Sequence, residues 1–181
     1  MSNFLYVDNS NVWIEGMHVA AVAHGYAPTL WDACEHKICD YGWKIDFGRL
    51  IEFAGGKPAE IGRAVLYGSK PPANDSLWAA AKKHGFEVVV HERSAFTGKE
   101  KKLDTNIATD ITADAYELMT PGKDEITLVA GDADYVPTIE RLRKRGLRFD
   151  ICFWAHASKE LRDAASNFIE LDKHLKHLGL K

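Results

Sequence analysis

The sequence predicts an α/β fold of three layers, in which helices cover both faces of a central, mainly parallel sheet. Short apolar runs alternate with segments whose apolar residues recur at helical spacing, a pattern typical of strand–helix–strand units. Several of the strand runs are almost entirely apolar, as expected of strands that are covered on both faces. No linker, composition shift or repeat divides the chain, so we expect one domain over residues 1–181.

The predicted elements alternate along the whole chain. Strands are predicted where a short apolar run ends in a turn signal, and helices where apolar residues recur every three or four positions. The predicted strands are 4–7, 62–68, 86–91, 125–130, 147–153 and 168–171. The predicted helices are 9–16, 30–38, 43–53, 74–83, 104–119, 136–144 and 159–165.

Capping and helix-breaking residues justify the boundaries of these elements. Ser10 or Asn11 is suited to cap the first helix, and Gly55-Gly56 ends the helix over 43–53. The later boundaries fall, in order, at Asn74 or Asp75, His84-Gly85, Pro121-Gly122, Gly146 and Ser158. Residues 17–41 form an elaboration whose role the pattern does not reveal. The polar tail after residue 171 is expected to be a frayed helix.

The net charge, the length of the apolar runs and the cysteine count limit which partners and which cellular compartment are expected. With a net charge of -3 and a pI near 6.2, the chain has no overall basic pull toward nucleic acid. An RNA or DNA partner would therefore need a local basic patch. No apolar run is long enough to span a bilayer, and the N-terminus does not resemble a signal peptide. Three cysteines then indicate reduced thiols, and we expect a cytoplasmic protein.

Carboxylates follow two of the predicted strands, at the edge where a parallel sheet opens its crevice. Asp8 follows the first strand, and Asp132 and Asp134 follow the fourth, while Asp104 and Asp110 lie on the helix before that fourth strand. Clustered carboxylates repel one another unless a cation neutralises them. Hard ions such as Mg2+ take carboxylate, water and phosphate oxygens as ligands. The pattern therefore favours a metal site suited to phosphodiester hydrolysis.

Helix capping is the simpler explanation for each carboxylate taken singly. Aspartate is a favoured N-cap, and Asp8, Asp104 and Asp132 all lie where a helix is predicted to begin. The meeting of three such segments at one edge favours a shared site. Asp110 lies about 240° round the helix from Asp104, so both can face one ion only if Asp104 lies at the helix start. Asp114 is expected to be solvated.

Three segments resemble the NYN branch of the PIN-like nuclease superfamily. The segment Asp8-Asn9-Ser10-Asn11 is similar to the family's Asp-Asn-x-Asn opening, and Lys102–Asp110 is similar to its acidic helix. Val129–Pro137 resembles its Ser-Gly-Asp-x-Asp-Phe-x-Pro segment, with Ala130 and Tyr135 as departures. The resemblance covers nearly the whole chain apart from the elaboration, and it rests on all three motifs occurring in order.

This resemblance implies a PIN-like, Rossmann-like topology and an endoribonuclease that depends on Mg2+ or Mn2+. It implies a ring of catalytic carboxylates formed by Asp8, Asp104, Asp110, Asp132 and Asp134. We expect the metal ligands to be Asp8, Asp104 and Asp132, with Asp110 and Asp134 as further ligands or as groups that orient water. Asn9 and Asn11 are expected to contact the substrate, and Asn11 to orient Asp8 or a phosphate.

Basic residues near the same edge are candidates for holding an RNA backbone. They are Lys70, Arg93, Lys99, Lys101 and Lys102. A solvated loop explains each of them equally well when it is taken singly. A denser basic run over 141–148 lies toward the opposite edge of the sheet, and we interpret it as charge at the C-terminus of a helix.

The aromatic residues and the cysteines admit alternatives. Trp13 and Tyr135 flank acidic motifs and are candidates for stacking on bases, with core packing as the alternative. Trp78 and Trp154 are expected in the core. The segment from Cys34 to Cys39 contains one histidine but no second pair of ligands, so it does not match a closed four-ligand zinc site.

Two other functions fit the same features. A catalytically inactive module that binds RNA or protein would keep the fold, and the acidic pI favours it. Hydrolysis of DNA or of a small phosphate ester would use the same metal chemistry. A homo-oligomer would supply the missing positive surface, although no sequence feature demonstrates one.

Overall fold

The computed structural model describes residues 1–70, 75–92 and 103–181. Its strands are β1 (Asn3–Asp8), β2 (Ile61–Lys70), β3 (Glu87–Glu92), β4 (Glu125–Val129), β5 (Arg148–Phe153) and β6 (Asn167–Glu170). They form one all-parallel sheet in the order β3-β2-β1-β4-β5-β6. The predicted α/β fold is confirmed. The strand order reverses between β1 and β4, and a ligand crevice is expected at such a switch point.

Helices join these strands. They are α1 (Asn9–Ala23), α2 (Leu30–Glu35), α3 (Phe47–Gly55), α4 (Asp75–Lys83), α5 (Leu103–Glu117), α6 (Val136–Lys144), α7 (Lys159–Ala164) and α8 (Leu175–Leu178). Two neighbouring residues of β2 show that the helices lie on both faces of the sheet. A Cβ atom on Gly68 would meet Trp78 of α4, whereas the hydroxyl of Tyr67 bonds to Asp110 of α5. Because successive strand residues point to opposite faces, α4 and α5 cover opposite faces.

The core is formed by the central strands and the helices packed on them. All six side chains of β1 are buried, as are four of the five side chains of β4. Trp78 and Trp154 are buried as predicted, at 9% and 0% exposure. The indole nitrogen of Trp154 donates to the carbonyl of Val12 at 2.8 Å, and its ring packs edge-on against Trp43. These contacts fix α1, and therefore the residues that follow β1, against the sheet.

Several element boundaries differ from the sequence-based expectation. Asp8, and not Ser10 or Asn11, caps α1, and α3 begins at Phe47 instead of residue 43 because Asp46 caps it. Helix α1 continues to Ala23 instead of ending near Gly16, because His18 and residues 19–21 are buried and continue its packed face. The C-terminal tail is docked and not frayed. The backbone N–H of Asp46 donates to Leu178, whose side chain is fully buried, so an apolar contact holds the polar tail in place.

Among the described residues, no helix is both long enough and apolar enough to cross a membrane.

Candidate metal centre

Asp8 ends β1 and begins α1. Its Oδ1 accepts a hydrogen bond from the backbone N–H of Asn11 at 3.2 Å, so the carboxylate caps the helix. Its Oδ2 accepts from the hydroxyl of Tyr135 at 3.4 Å. The side chain is only 8% exposed. Capping and the Tyr135 contact together fix the orientation of this carboxylate at the end of the strand.

The end of β4 is held beside the start of α1. The backbone N–H of Gly131 donates to Oδ1 of Asn11 at 3.0 Å. A Cβ atom on Gly131 would lie 2.2 Å from the ring of Phe153, so only glycine fits there. Asp132 follows and caps the 3-10 turn Ala133–Tyr135 by accepting from the backbone N–H of Asp134 at 3.0 Å. Asn11 thus positions the acidic loop.

Asp104 lies in the first turn of α5. This is the position at which it can face the same ion as Asp8 and Asp132. The negative charge of Asp132, followed by a hydrogen bond with Asp104, raises the pKa of Asp134. Burial, followed by the charges of Asp8, Asp104 and Asp132, raises the pKa of Tyr135. Tyr135 therefore interacts with three carboxylates, Asp8, Asp104 and Asp132, and Asp134 joins the same group through Asp104 and Asp132.

The capping explanation and the shared-site explanation both apply. Asp8 and Asp132 do cap helical turns, but each capping bond is made by a single carboxylate oxygen. None of the ion pairs between described residues involves Asp104, Asp132 or Asp134. The cluster offers oxygen donors only, which is the donor set that Mg2+ and Mn2+ prefer. These residues fit a hard divalent cation.

Asp110 and Asp114 lie further along α5 and contact other groups. Asp110 accepts from the hydroxyl of Tyr67 at 2.9 Å and lies about 9 Å along the helix axis from Asp104, so its catalytic role stays a prediction. The expectation that Asp114 is solvated was wrong. Its Oδ2 accepts from the hydroxyl of Tyr6 and from Arg63, each at 2.6 Å, and the side chain is buried.

The predicted substrate contacts have different outcomes. Asn9 is 5% exposed, and no described residue bonds its buried Oδ1, so it lies too deep to touch a surface-bound strand. Asn11 lines a cleft. Lys70 ends β2, but its side chain lies outside the described part of the chain. The remaining basic candidates also lie outside the described residues; they are Arg93, Lys99, Lys101 and Lys102.

The two aromatic residues considered for base stacking pack against other protein groups instead. Tyr135 is 1% exposed and directs its hydroxyl at Asp8, so it offers no face to a base. Trp13 is partly buried and packs edge-on against Phe47. Arg141, Arg143 and Lys144 of the basic run lie in the last turn of α6, as expected for charge at the C-terminus of a helix. Some residues of the run also make structural contacts. One example is Arg143, which donates to the carbonyl of Ala164 at 2.7 Å.

A cleft of about 350 Å³ opens beside the carboxylates and contains two residues that the sequence analysis missed. Asn11 and Asp132 line it together with Glu15 and His156. His156 Nε2 lies 2.6 Å from Oε2 of Glu15. Two sequence signals point to this pair, since Glu15 is one helical turn beyond Asn11 and His156 closely follows the fifth strand.

The raised pKa of Asp134 predicts a pH-dependent gain of stability in the Asp134→Asn variant. A carboxyl whose folded-state pKa is raised contributes stability below its ordinary pKa and loses it as the pH rises through the raised value. At about pH 7 the ionised group should therefore destabilise the metal-free protein. We expect Asp134→Asn to raise the Tm in EDTA at neutral pH, and the gain to shrink toward about pH 4.

Thermal unfolding at several pH values measures this effect. The matched control is Asp163→Asn, which removes an exposed carboxylate whose nearest ion pair is with Lys159 at 3.2 Å. We expect no such gain in the control. A Tm gain at neutral pH that is equal in both variants would show that overall charge, and not the cluster, is responsible.

The family model of the NYN domain matches residues 27–172, which is most of the chain. The chain belongs to the NYN domain family. NYN domains are in general nucleases of the PIN-like type. The matched range includes Asp104, Asp110, Asp132 and Asp134 but begins after Asp8, so this first carboxylate rests on the structure and on its local motif.

A solved structure has a fold similar to that of this chain. It is the crystal structure of a protein of unknown function from Vibrio parahaemolyticus, with a TM-score of 0.68 and 21% sequence identity. The match covers 99% of this chain and 96% of that one, so the likeness extends over the complete fold. No curated protein matches the chain. These comparisons establish the NYN family and the fold.

Proposed function

We propose that this protein is an endoribonuclease of the cytoplasm that hydrolyses RNA phosphodiesters with Mg2+ or Mn2+. The observation that carries the proposal is a group of four carboxylates at the switch point of the sheet. The Tyr135 hydroxyl donates to Asp8 and lies in the field of Asp104 and Asp132, and Asp134 interacts with Asp104 and Asp132. Membership of the NYN family supports a nuclease reaction. The oxygen-only donor set supports a hard divalent ion.

Each residue has a defined task in this proposal. Asp8, Asp104 and Asp132 hold the ion, and Asp134 accepts a proton or orients water beside them. The hydroxyl of Tyr135 holds Asp8 Oδ2, and Asn11 holds the backbone of Gly131, so both contacts keep the carboxylates in place before the substrate arrives. When bound, the ion supplies an activated water and neutralises charge on the leaving oxygen.

RNA contacts are proposed for the cleft and for the basic residues named in the sequence analysis. The open cleft beside Asn11 and Asp132 leaves room for a phosphate and the adjoining nucleotide. The basic residues expected from the sequence to hold the backbone are Lys70, Arg93, Lys99, Lys101 and Lys102. Such contacts carry no base specificity, so we expect cleavage of single-stranded RNA with weak sequence preference and strong salt dependence.

Cleavage assays with purified protein test the proposal. Single-stranded and structured RNA are incubated with Mn2+, beside the Asp132→Asn variant and beside EDTA. We expect cleavage only by the unmodified protein with metal. Equal cleavage by the variant would reveal a contaminant and remove the proposal. Metal binding by calorimetry without turnover on any RNA would favour a binding module, and faster turnover of DNA or a small phosphate ester would reassign the substrate.

A further inference from the structure

A second group of metal-ligating side chains lies away from the aspartate cluster. It consists of Glu15 and His18 on α1 and Cys34 on α2, and is called the mixed cluster here. One ligand atom from each residue lies within 4.8 Å of the other two. Glu15 and His18 are three positions apart and therefore share a face of the helix. Packing of α2 against α1 brings Cys34 to the same face.

The spacing of the donor atoms is close to that of a zinc site. Cys34 Sγ lies 3.8 Å from Oε2 of Glu15. Zinc bonds sulfur at about 2.3 Å and oxygen at about 2.0 Å, which places two tetrahedral ligands about 3.5 Å apart. A movement of a few tenths of an ångström would bring this pair of atoms to that separation.

Hydrogen bonds to neighbouring groups prepare two of the ligands. His18 is buried, and its Nδ1 donates to the carbonyl of Ile38 at 2.8 Å, which leaves the lone pair on Nε2. A backbone carbonyl commonly orients a metal-binding histidine in this way. The Oε2 atom of Glu15 that lies near Cys34 also accepts a hydrogen bond from Nε2 of His156 at 2.6 Å, which fixes its position. These outer contacts resemble those that orient ligands around bound metals.

The mixed cluster differs from the Cys34–Cys39 segment considered in the sequence analysis, because it includes neither His36 nor Cys39. The imidazole of His36 is 63% exposed and lies 3.9 Å from Glu35, away from the other candidates. Cys39 Sγ lies 3.7 Å from Nδ1 of His18, the nitrogen already bonded to Ile38. Cys39 therefore offers a comparison thiol that is near the cluster but is not one of its three ligands.

We propose that Glu15, His18 and Cys34 bind one zinc ion, with water as the fourth ligand. Thiolate, imidazole and carboxylate together favour Zn2+ over the hard ions that suit an all-oxygen site. Binding replaces the thiol proton of Cys34 by the metal. The ion joins α1 to α2 and fixes Glu15, which also lines the cleft with His156. It therefore stabilises one wall of that cleft.

Cobalt substitution of the purified protein tests the zinc site. Co2+ reports thiolate ligation by a charge-transfer absorption band, and elemental analysis of protein purified without chelator counts zinc. We expect about one zinc per chain and a thiolate-to-Co2+ band. Cys34→Ser should remove the band, whereas Cys39→Ser and Asp132→Asn should keep it. Circular dichroism confirms that each variant is folded, and Glu15→Gln, which should weaken binding, provides a second test if Cys34→Ser is unfolded.

The outcomes separate this site from the aspartate cluster. Absence of both zinc and the band in the unmodified protein would overturn the proposal. A band that persists in Cys34→Ser, or that disappears in Asp132→Asn, would overturn it as well. Loss of RNA cleavage in Asp132→Asn with an intact band would support two independent metal sites.

Discussion

Asp104→Asn is expected to reduce RNA cleavage about 100-fold or more and, in the same protein, to raise the Tm of the metal-free form. The loss follows because a bound divalent ion contributes several kcal/mol to the transition state, and about 1.4 kcal/mol corresponds to a factor of ten in rate. The gain follows because Asp104 lies against Asp134 and adds to the negative charge around Tyr135. Without metal, removal of one charge relieves that repulsion.

Two matched variants give this prediction its control. Asp163→Asn makes the same chemical change on an exposed part of α7 and should leave cleavage and Tm nearly unchanged. Asp110→Asn keeps an oxygen that can accept from Tyr67, so we expect a smaller loss of activity than in Asp104→Asn. Cleavage rates in Mn2+ and melting curves in EDTA are the measurements. A fall in both activity and metal-free Tm would mean that Asp104 supports the fold and not an ion.

Arg63→Ala is expected to reduce the free energy of unfolding by about 3 kcal/mol. The guanidinium NH1 lies 2.6 Å from Oδ2 of Asp114, and that oxygen also accepts from Tyr6. The side chain of Asp114 is 9% exposed, so removal of the cation leaves a buried charge without its counter-ion. Breaking a buried pair on one side is costly for this reason, even where the complete pair adds little stability.

The other partner of Arg63 provides the control. Glu87 lies 2.8 Å from NH2 of the same guanidinium, but its side chain is 58% exposed. Water screens this second pair, so Glu87→Gln should cost no more than about 1 kcal/mol. Urea denaturation of both variants measures the difference. Equal losses would show that burial of Asp114 does not govern the energy of this network.

Chain order was sufficient to predict the fold and part of the candidate site. Apolar runs predict all six strands, and the carboxyl ends of parallel strands share an edge, so the sequence places Asp8 and Asp132 together. Their local partners were also predictable, because an aspartate at a helix start caps that helix.

The features that the sequence analysis missed depend on contacts between distant segments. Asp114 has the sequence context of a solvated helical residue, and its burial arises only because Tyr6 and Arg63 of two adjacent strands reach it. The pair of Glu15 and His156 joins α1 to the loop after β5. The hydrophobic pattern of a single helix or strand does not predict contacts of this kind, because each partner fits the pattern of its own element.

The strand order also constrains how the protein folds during synthesis. β1 lies between β2 and β4, and Asn3 pairs with Glu125 of β4. One edge of the first strand therefore stays open until two thirds of the chain has been made. Parallel pairings across such sequence distances form slowly, because loop closure must precede the gain in contacts. The sheet edge that carries Asp8 and Asp132 is thus a late product of folding, and chaperone contact is expected to be longest at the open side of β1.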